Sequence, residues 1–169
     1  MRSRTLIVLA VMALTASACA TAVPEAPGGP GAASSGAPVP VEGYDWFFHV
    51  DDGAARLAYG LAESDDLRLG LDCARASGRL SLSGVAQDGA KPEFHIESGG
   101  ETGRFPAEAE PSQIHDGVFL SAEAPADAPV FRRFRQLGWL ALWQDGTRQA
   151  YAPHPASAPD IERFFAFCG

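Results

Sequence analysis

A histidine flanked by two glutamates, each two residues away, is the arrangement in this sequence with the clearest potential for chemistry. Glu93, His95 and Glu97 lie in a segment of alternating polar and apolar residues, which predicts a β-strand with all three side chains on one face. Imidazole beside carboxylates suits general acid/base catalysis or a weak metal site. Because the groups are about 7 Å apart along a strand, we expect an ordinary solvated strand face, with a small hydrolase or metal-dependent enzyme as the alternative.

Three arginines form the densest basic cluster of an otherwise acidic chain. Arg132, Arg133 and Arg135 follow Asp127-Ala128-Pro129, which is a typical helix start, and helical spacing places the first and third on one face. Guanidinium groups bind carboxylates through paired hydrogen bonds. We therefore predict that these arginines bind an acidic envelope protein or an acidic glycan; the alternative is a polar helix face paired with the chain's own carboxylates.

The motifs of common enzyme classes are absent from the sequence. It contains no Gly-x-Ser-x-Gly elbow, no His-Glu-x-x-His zinc motif and no glycine-rich phosphate loop. We therefore predict a non-catalytic domain with no catalytic residues, no metal site and no cofactor. The formal net charge of −8 argues against nucleic acid as a partner, because an acidic chain repels phosphate backbones.

The N-terminal region is organised like a secretory signal. Two arginines precede the apolar run Leu6–Leu14, and small residues lead to Cys19. This segment resembles the signal of a bacterial lipoprotein, in which such a cysteine receives a diacylglycerol, although Ala16 stands where leucine is usual. The resemblance implies a lipid-anchored protein, which we place on the periplasmic side of the outer membrane. Residues 16–18 also fit ordinary signal-peptidase cleavage, which would release a soluble secreted protein.

The sequence contains three cysteines, Cys19, Cys73 and Cys168. If lipid modifies the first, the other two can form a disulfide in an oxidising envelope, whereas the alternative is two buried free thiols. Cys73 ends an alternating strand pattern, and Cys168 ends the apolar stripe of a C-terminal helix. Both cysteines should therefore face the core, as a disulfide between helix and sheet requires.

Composition divides the chain into three parts. Residues 1–18 are the predicted signal peptide, and residues 19–43 are rich in Ala, Pro and Gly, which predicts a lipidated cysteine followed by a disordered tether. Residues 44–169 are long enough for a single domain with a substantial core.

Period-two alternation recurs through residues 44–169 and predicts half-buried antiparallel strands. The expected fold is mainly β with some helix, either an antiparallel β-sandwich or a small barrel. A short helix with apolar residues to Leu137 should end at Gly138, and Trp139–Trp143, apolar on both faces, predicts a central strand. Ser157, with an acidic residue three positions later, fits a capping box at the start of the C-terminal helix.

The C-terminal region, residues 130–169, contains "LGWLALWQDGTRQAYAP" followed by a helix ending in cysteine. It resembles small periplasmic proteins of the invasion-associated locus B type. That resemblance implies a β-rich secreted domain of ill-defined biochemical role and an envelope location. The function we expect is that of a lipid-tethered binding, adaptor or inhibitory domain attached to the membrane through Cys19; the alternative is an envelope hydrolase or metal-dependent enzyme using His95 with Glu93 or Glu97.

Overall fold

Ten strands and two helices form the part of the chain that the computed structural model describes, residues 36–113 and 116–169. The predicted signal peptide, Cys19 and most of the predicted tether lie outside the described residues. In chain order the elements are β1 (Tyr44–Asp51), β2 (Ala54–Leu61), β3 (Leu67–Ala74), β4 (Arg79–Ala86), β5 (Glu93–Ser98), β6 (Glu101–Pro106), β7 (Glu108–Pro111), β8 (Val118–Pro125), α1 (Pro129–Leu137), β9 (Leu140–Gln144), β10 (Thr147–Tyr151) and α2 (Ala158–Cys168).

The strands form two antiparallel sheets. The six-stranded sheet has the order β1-β2-β3-β4-β8-β7, and the four-stranded sheet has the order β10-β9-β5-β6. Only Ala107 separates β6 from β7, so one short stretch of chain runs from the edge of one sheet to the edge of the other. The predicted fold class, mainly β with two helices, is confirmed, and of the two architectures expected the pair of open sheets is the one formed.

Inward-facing residues of both sheets form one core. The fully buried leucines of β2, β3 and β4 pack in the same cluster as Phe94 and Ile96 of β5; they are Leu57, Leu69, Leu71, Leu80 and Leu82. Each such side chain contributes about 1.5–3 kcal/mol on burial. A Cβ at Gly84 would lie 3.1 Å from the carbonyl oxygen of Arg68 in β3, so glycine relieves crowding within the six-stranded sheet, where it faces the Phe94 ring of the other sheet. Helix α1 packs on β5 and β6, whereas α2 packs on β1 and β2.

Helix α1 begins at Pro129 and is followed by Gly138, as predicted. Gly138 has φ +78°, and its amide donates to the carbonyl oxygen of Phe134 at 2.7 Å, which closes the helix in the left-handed conformation that favours glycine. Leu137 does not complete the buried stripe but is 39% exposed, because it lies against the β5–β6 turn at Gly99. In the described part of the chain, no helix has the length and apolar character needed to cross a bilayer.

The predicted capping box at Ser157 is wrong. Its hydroxyl donates to Asp45 of β1 and lies 3.0 Å from the carbonyl oxygen of His154, and it makes no capping bond to α2. Asp160, the other member of the predicted box, pairs with Arg163 within the helix. The Ser157 hydroxyl, which the local sequence predicts to cap the helix, therefore makes a tertiary contact with β1 instead.

The predicted disulfide between Cys73 and Cys168 is present and joins β3 to α2. The Cα atoms are 5.8 Å apart, and the bridge closes a sequence separation of 95 residues. Both cysteines are buried in the core cluster. The strand and helix patterns therefore indicated the correct face for each.

Candidate functional site

One row of side chains crosses the outer face of the four-stranded sheet. The register pairs Arg104 with His95, His95 with Trp143, and Trp143 with Arg148, and directly paired residues lie on the same face. The imidazole and indole rings are stacked, with centroids 5.9 Å apart and planes at 22°. An aromatic pair therefore lies between two guanidinium groups.

Glu97 belongs to the same face but is only 1% exposed. Arg148 donates to it twice, from Nε to Oε2 at 2.9 Å and from Nη2 to Oε1 at 3.2 Å, and Trp143 Nε1 donates to Oε2 at 2.9 Å. Burial alone would raise the pKa of Glu97, but the hydrogen bonds from Arg148 and Trp143 outweigh it and hold the pKa below its usual value. The expected solvated strand face is therefore wrong at Glu97, because side chains of β9 and β10 cover the carboxylate.

Glu93 is also bound to cations. Lys91 Nζ lies 2.8 Å from Oε2, and Arg104 pairs with Oε1; the hydrogen bond from Lys91 is the largest cause of a lowered pKa for Glu93. Burial lowers the pKa of His95, so its imidazole is mainly neutral at pH 7. The structure thus brings together the three residues of the predicted motif but engages both carboxylates as counter-ions, and carboxylates with lowered pKa values are weak bases.

The part of the chain that the structure describes contains no group of three or more His, Cys, Asp or Glu side chains arranged to hold an ion. The cations around the glutamates give the physical reason, since a carboxylate already saturated by guanidinium and ammonium groups has few lone pairs left for a metal.

The three arginines of α1 have different partners. Arg135 binds Glu162 of α2, with Nε 2.6 Å from Oε2, and this hydrogen bond is the largest cause of a raised Arg135 pKa. Arg132 donates to the carbonyl oxygen of Asp127, and Arg133 donates to the side chain of Gln136 at 3.3 Å. The charge of Arg135 is therefore neutralised by a carboxylate within the fold, whereas Arg132 and Arg133 donate to uncharged oxygen atoms.

Arg132 and Arg133 border a depression of about 260 Å³ between α1 and the β5–β6 turn; the other lining residues are Gly99, Glu101, Pro129 and Gln136. Gly99 has φ +54°, and a Cβ there would lie 2.9 Å from Arg133 Nε, so glycine permits the turn to approach the helix. Of the eleven basic residues in 36–113 and 116–169, eight form ion pairs. The three that do not are Arg75, Arg132 and Arg133.

Sequence reasoning did not identify Arg104, Trp143 or Arg148 as neighbours of His95. These residues are 9, 48 and 53 positions away in the chain, and only the register of four strands brings them into one row. A partial signal was present in the strand at Trp139–Trp143, because apolar residues on both faces indicate that something covers the outer face.

Comparison with protein-family models, with curated proteins and with solved structures finds no match to this chain. The resemblances to a lipoprotein signal and to proteins of the invasion-associated locus B type therefore stay predictions.

Proposed function

We propose that this protein is a lipid-anchored, non-catalytic binding domain of the bacterial cell envelope, and that it holds an acidic partner at the depression beside α1. The observation that carries the proposal is the adjacent pair Arg132 and Arg133, which form no ion pair within the part of the chain that the structure describes. Hydrogen bonds between guanidinium and carboxylate groups contribute about 1.5–3 kcal/mol each.

The shape of the depression favours an acidic group that projects from its carrier. A space of about 260 Å³ is at the lower limit of small-molecule pockets, about 300–1,000 Å³. It therefore suits a carboxylate and the atoms next to it. Glu101 on the same rim would repel a large anionic surface. The proposed partner group is therefore a single carboxylate on an envelope protein or an acidic glycan.

The proposed location is the periplasmic side of the outer membrane, with lipid on Cys19. The basic, apolar and small-residue order of residues 1–19 supports it, and so does the disulfide, since such bonds persist in oxidising compartments. Intact mass spectrometry of the protein from its native envelope tests this location. A mature chain that starts at Cys19 and carries acyl mass is expected; an unacylated chain would make the protein a soluble secreted one.

The alternative of an envelope hydrolase or metal-dependent enzyme that uses His95 has less support, because Glu93 and Glu97 are both occupied by cations. It predicts an activity or a bound metal that is lost in His95→Ala without a change in Tm.

The binding proposal is tested with the full chain immobilised on a sensor and titrated with oligogalacturonate, a carboxylated glycan, and with acidic envelope proteins. Arg132→Glu with Arg133→Glu should weaken binding at least tenfold, since two charge-assisted bonds become repulsions. The matched control is Arg75→Glu with Arg79→Glu, which changes the net charge equally on another surface.

Equal losses in both double variants would attribute binding to net charge and contradict the proposal. Unchanged binding in the Arg132/Arg133 variant, or absence of binding to every acidic probe by the native chain, would also contradict it. A loss for only one class of probe would identify the partner as protein or glycan.

A further inference from the structure

A larger cleft lies at one end of the molecule and is lined by residues of both sheets. It has a volume of about 680 Å³, well within the range of small-molecule sites, about 300–1,000 Å³. The six-stranded sheet contributes the start of β3 and the end of β4, and the four-stranded sheet contributes the β9–β10 hairpin. The cleft is thus separate from the depression beside α1.

Strand β10 forms one wall through alternate residues. Thr147, Gln149 and Tyr151 line the cleft, whereas Arg148 between them belongs to the outer face with Glu97. Because side chains alternate along a β-strand, one face of β10 lines the cleft and the other belongs to the outer face of the four-stranded sheet.

The wall offers hydrogen-bonding groups that are only partly used. Gln144 Nε2 donates to the Val85 carbonyl oxygen at 3.2 Å, which fixes the amide between the two sheets and leaves its carbonyl oxygen as an acceptor. Tyr151 Oη lies 3.5 Å from Gln149 Oε1, longer than the usual 2.5–3.0 Å or so for such bonds. Burial raises the pKa of Tyr151 to about 12, so the hydroxyl remains protonated and can donate.

A rigid network forms the opposite rim. Arg68 pairs with both oxygens of Asp66 at 2.9 Å and donates to Tyr44 Oη at 3.0 Å. Below the rim, the rings of Tyr44, Tyr59 and Tyr151 stack in series, with centroid distances of 6.1 and 4.6 Å. These contacts hold the residues of this rim in place, which reduces the entropy that the rim would lose when a ligand binds.

The charge of the lining selects against anions. Among the described residues that line it, Asp66, Asp116 and Asp145 contribute three carboxylates, against one guanidinium from Arg68. Beside the apolar residues Leu67, Val85 and Ala86, the neutral polar groups are amides and hydroxyls that both donate and accept. This mixture suits a sugar, which has many hydroxyl groups and apolar ring faces, better than an acyl chain, which would leave the polar groups unpaired.

We infer that this cleft binds a polyhydroxylated ligand, neutral or positively charged, of the sugar or amino-sugar class. The inference rests on the geometry of the cleft and not on the proposed function of the α1 depression.

Isothermal titration calorimetry of the full chain with three trisaccharides tests it. The probes are chitotriose, which is neutral, its de-N-acetylated counterpart, which is cationic, and trigalacturonate, which is anionic. Either or both of the first two should bind at this cleft. Trigalacturonate should bind only at the α1 depression, if at all, so its affinity should be the same in the native chain and in variants of the cleft. Tyr151→Phe and Gln149→Leu should each weaken binding about five- to tenfold, the effect of one lost hydrogen bond.

Thr102→Val is the matched control, because it removes an exposed hydroxyl on the outer face of β6 and should leave affinity unchanged. Thermal unfolding verifies that each variant folds. If Tyr151→Phe does not fold, Gln149→Leu alone tests the cleft.

Absence of binding by both the neutral and the cationic sugar would overturn the inference. So would equal losses of affinity for all three sugars in the cleft variants, or unchanged affinity for the neutral and cationic sugars in both cleft variants. Binding at the α1 depression is measured with variants of Arg132 and Arg133, and binding at the cleft with variants of Tyr151 and Gln149, so either proposal can fail alone.

Discussion

Replacing Glu97 by glutamine tests whether the buried ion pair on the four-stranded sheet stabilises the domain. Glutamine keeps an oxygen that can accept from Trp143 Nε1 but removes the charge that Arg148 binds. Breaking a buried pair by removing one partner costs about 3–5 kcal/mol. Because the Arg148 side chain retains 20% exposure, water offsets part of that cost, and we expect Glu97→Gln to lower the free energy of unfolding by about 2–4 kcal/mol.

A double-mutant cycle with Arg148→Met separates pairing from packing, since methionine retains apolar atoms near Trp139. Arg148→Met leaves the Glu97 charge buried without its cation, and we expect a cost of about 3–5 kcal/mol at pH 7. The double variant leaves no unpaired charge, so its cost should fall below the sum of the single costs by at least ~1.5 kcal/mol.

Urea denaturation with the disulfide intact measures all four proteins, and pH supplies a second readout. The pKa of Glu97 is lowered in the fold, so the native pair contributes stability above the unfolded pKa, about 4.3, and loses it as pH falls through the folded pKa. In Arg148→Met, burial should instead raise the pKa of Glu97, so that variant's deficit should shrink between pH 7 and pH 4. A cost below ~0.5 kcal/mol for Glu97→Gln, or additivity within ~0.3 kcal/mol, would refute this reasoning.

Three further outcomes follow from the fold. Replacing Cys73 and Cys168 together by serine should reduce the free energy of unfolding by about 4–5 kcal/mol, from the chain entropy of the closed loop; an unchanged urea midpoint would contradict it. Gly99→Ala should cost about 1 kcal/mol more than Gly100→Ala, because both have positive φ but only the first is crowded, by the ends of the Leu137 and Arg133 side chains; equal midpoints would exclude steric crowding as the cause. Burial lowers the pKa of His95, so its NMR titration midpoint should lie below about 6.5, and stability should fall as the solution is acidified through this range; a higher midpoint would show that the neighbouring carboxylates dominate.

Alternation and helical spacing were sufficient to predict the faces of most elements. The apolar stripe of α2 and the strand leading to Cys73 point into the core as predicted, because burial follows directly from the period of each element. Leu137 departs from its pattern: it contacts the β5–β6 turn at Gly99 but remains 39% exposed, because the turn covers only part of the last turn of the helix.

The surroundings of His95 could not be predicted in the same way. The period of a strand identifies which side chains share a face but not whether other side chains cover it. Burial of Glu97 depends on Trp143 and Arg148, and these reach it only through pairing between β5, β9 and β10. The predicted capping box was wrong for a related reason: the Ser157 hydroxyl donates to Asp45 on β1, more than a hundred residues away, and its oxygen does not accept from the first amides of α2.

The position of the disulfide has a mechanical consequence if the chain is anchored through its N-terminus, as proposed. Tension would enter at β1, an edge strand paired only with β2, and would peel the strands apart one hydrogen-bonded pair after another. If the opposing force acts at the C-terminus, beside Cys168, extension would stop at Cys73, because the covalent bridge to Cys168 bypasses the chain between the two cysteines. Residues 36–73 would then extend over about 120–130 Å, while the chain between the two cysteines carried no load.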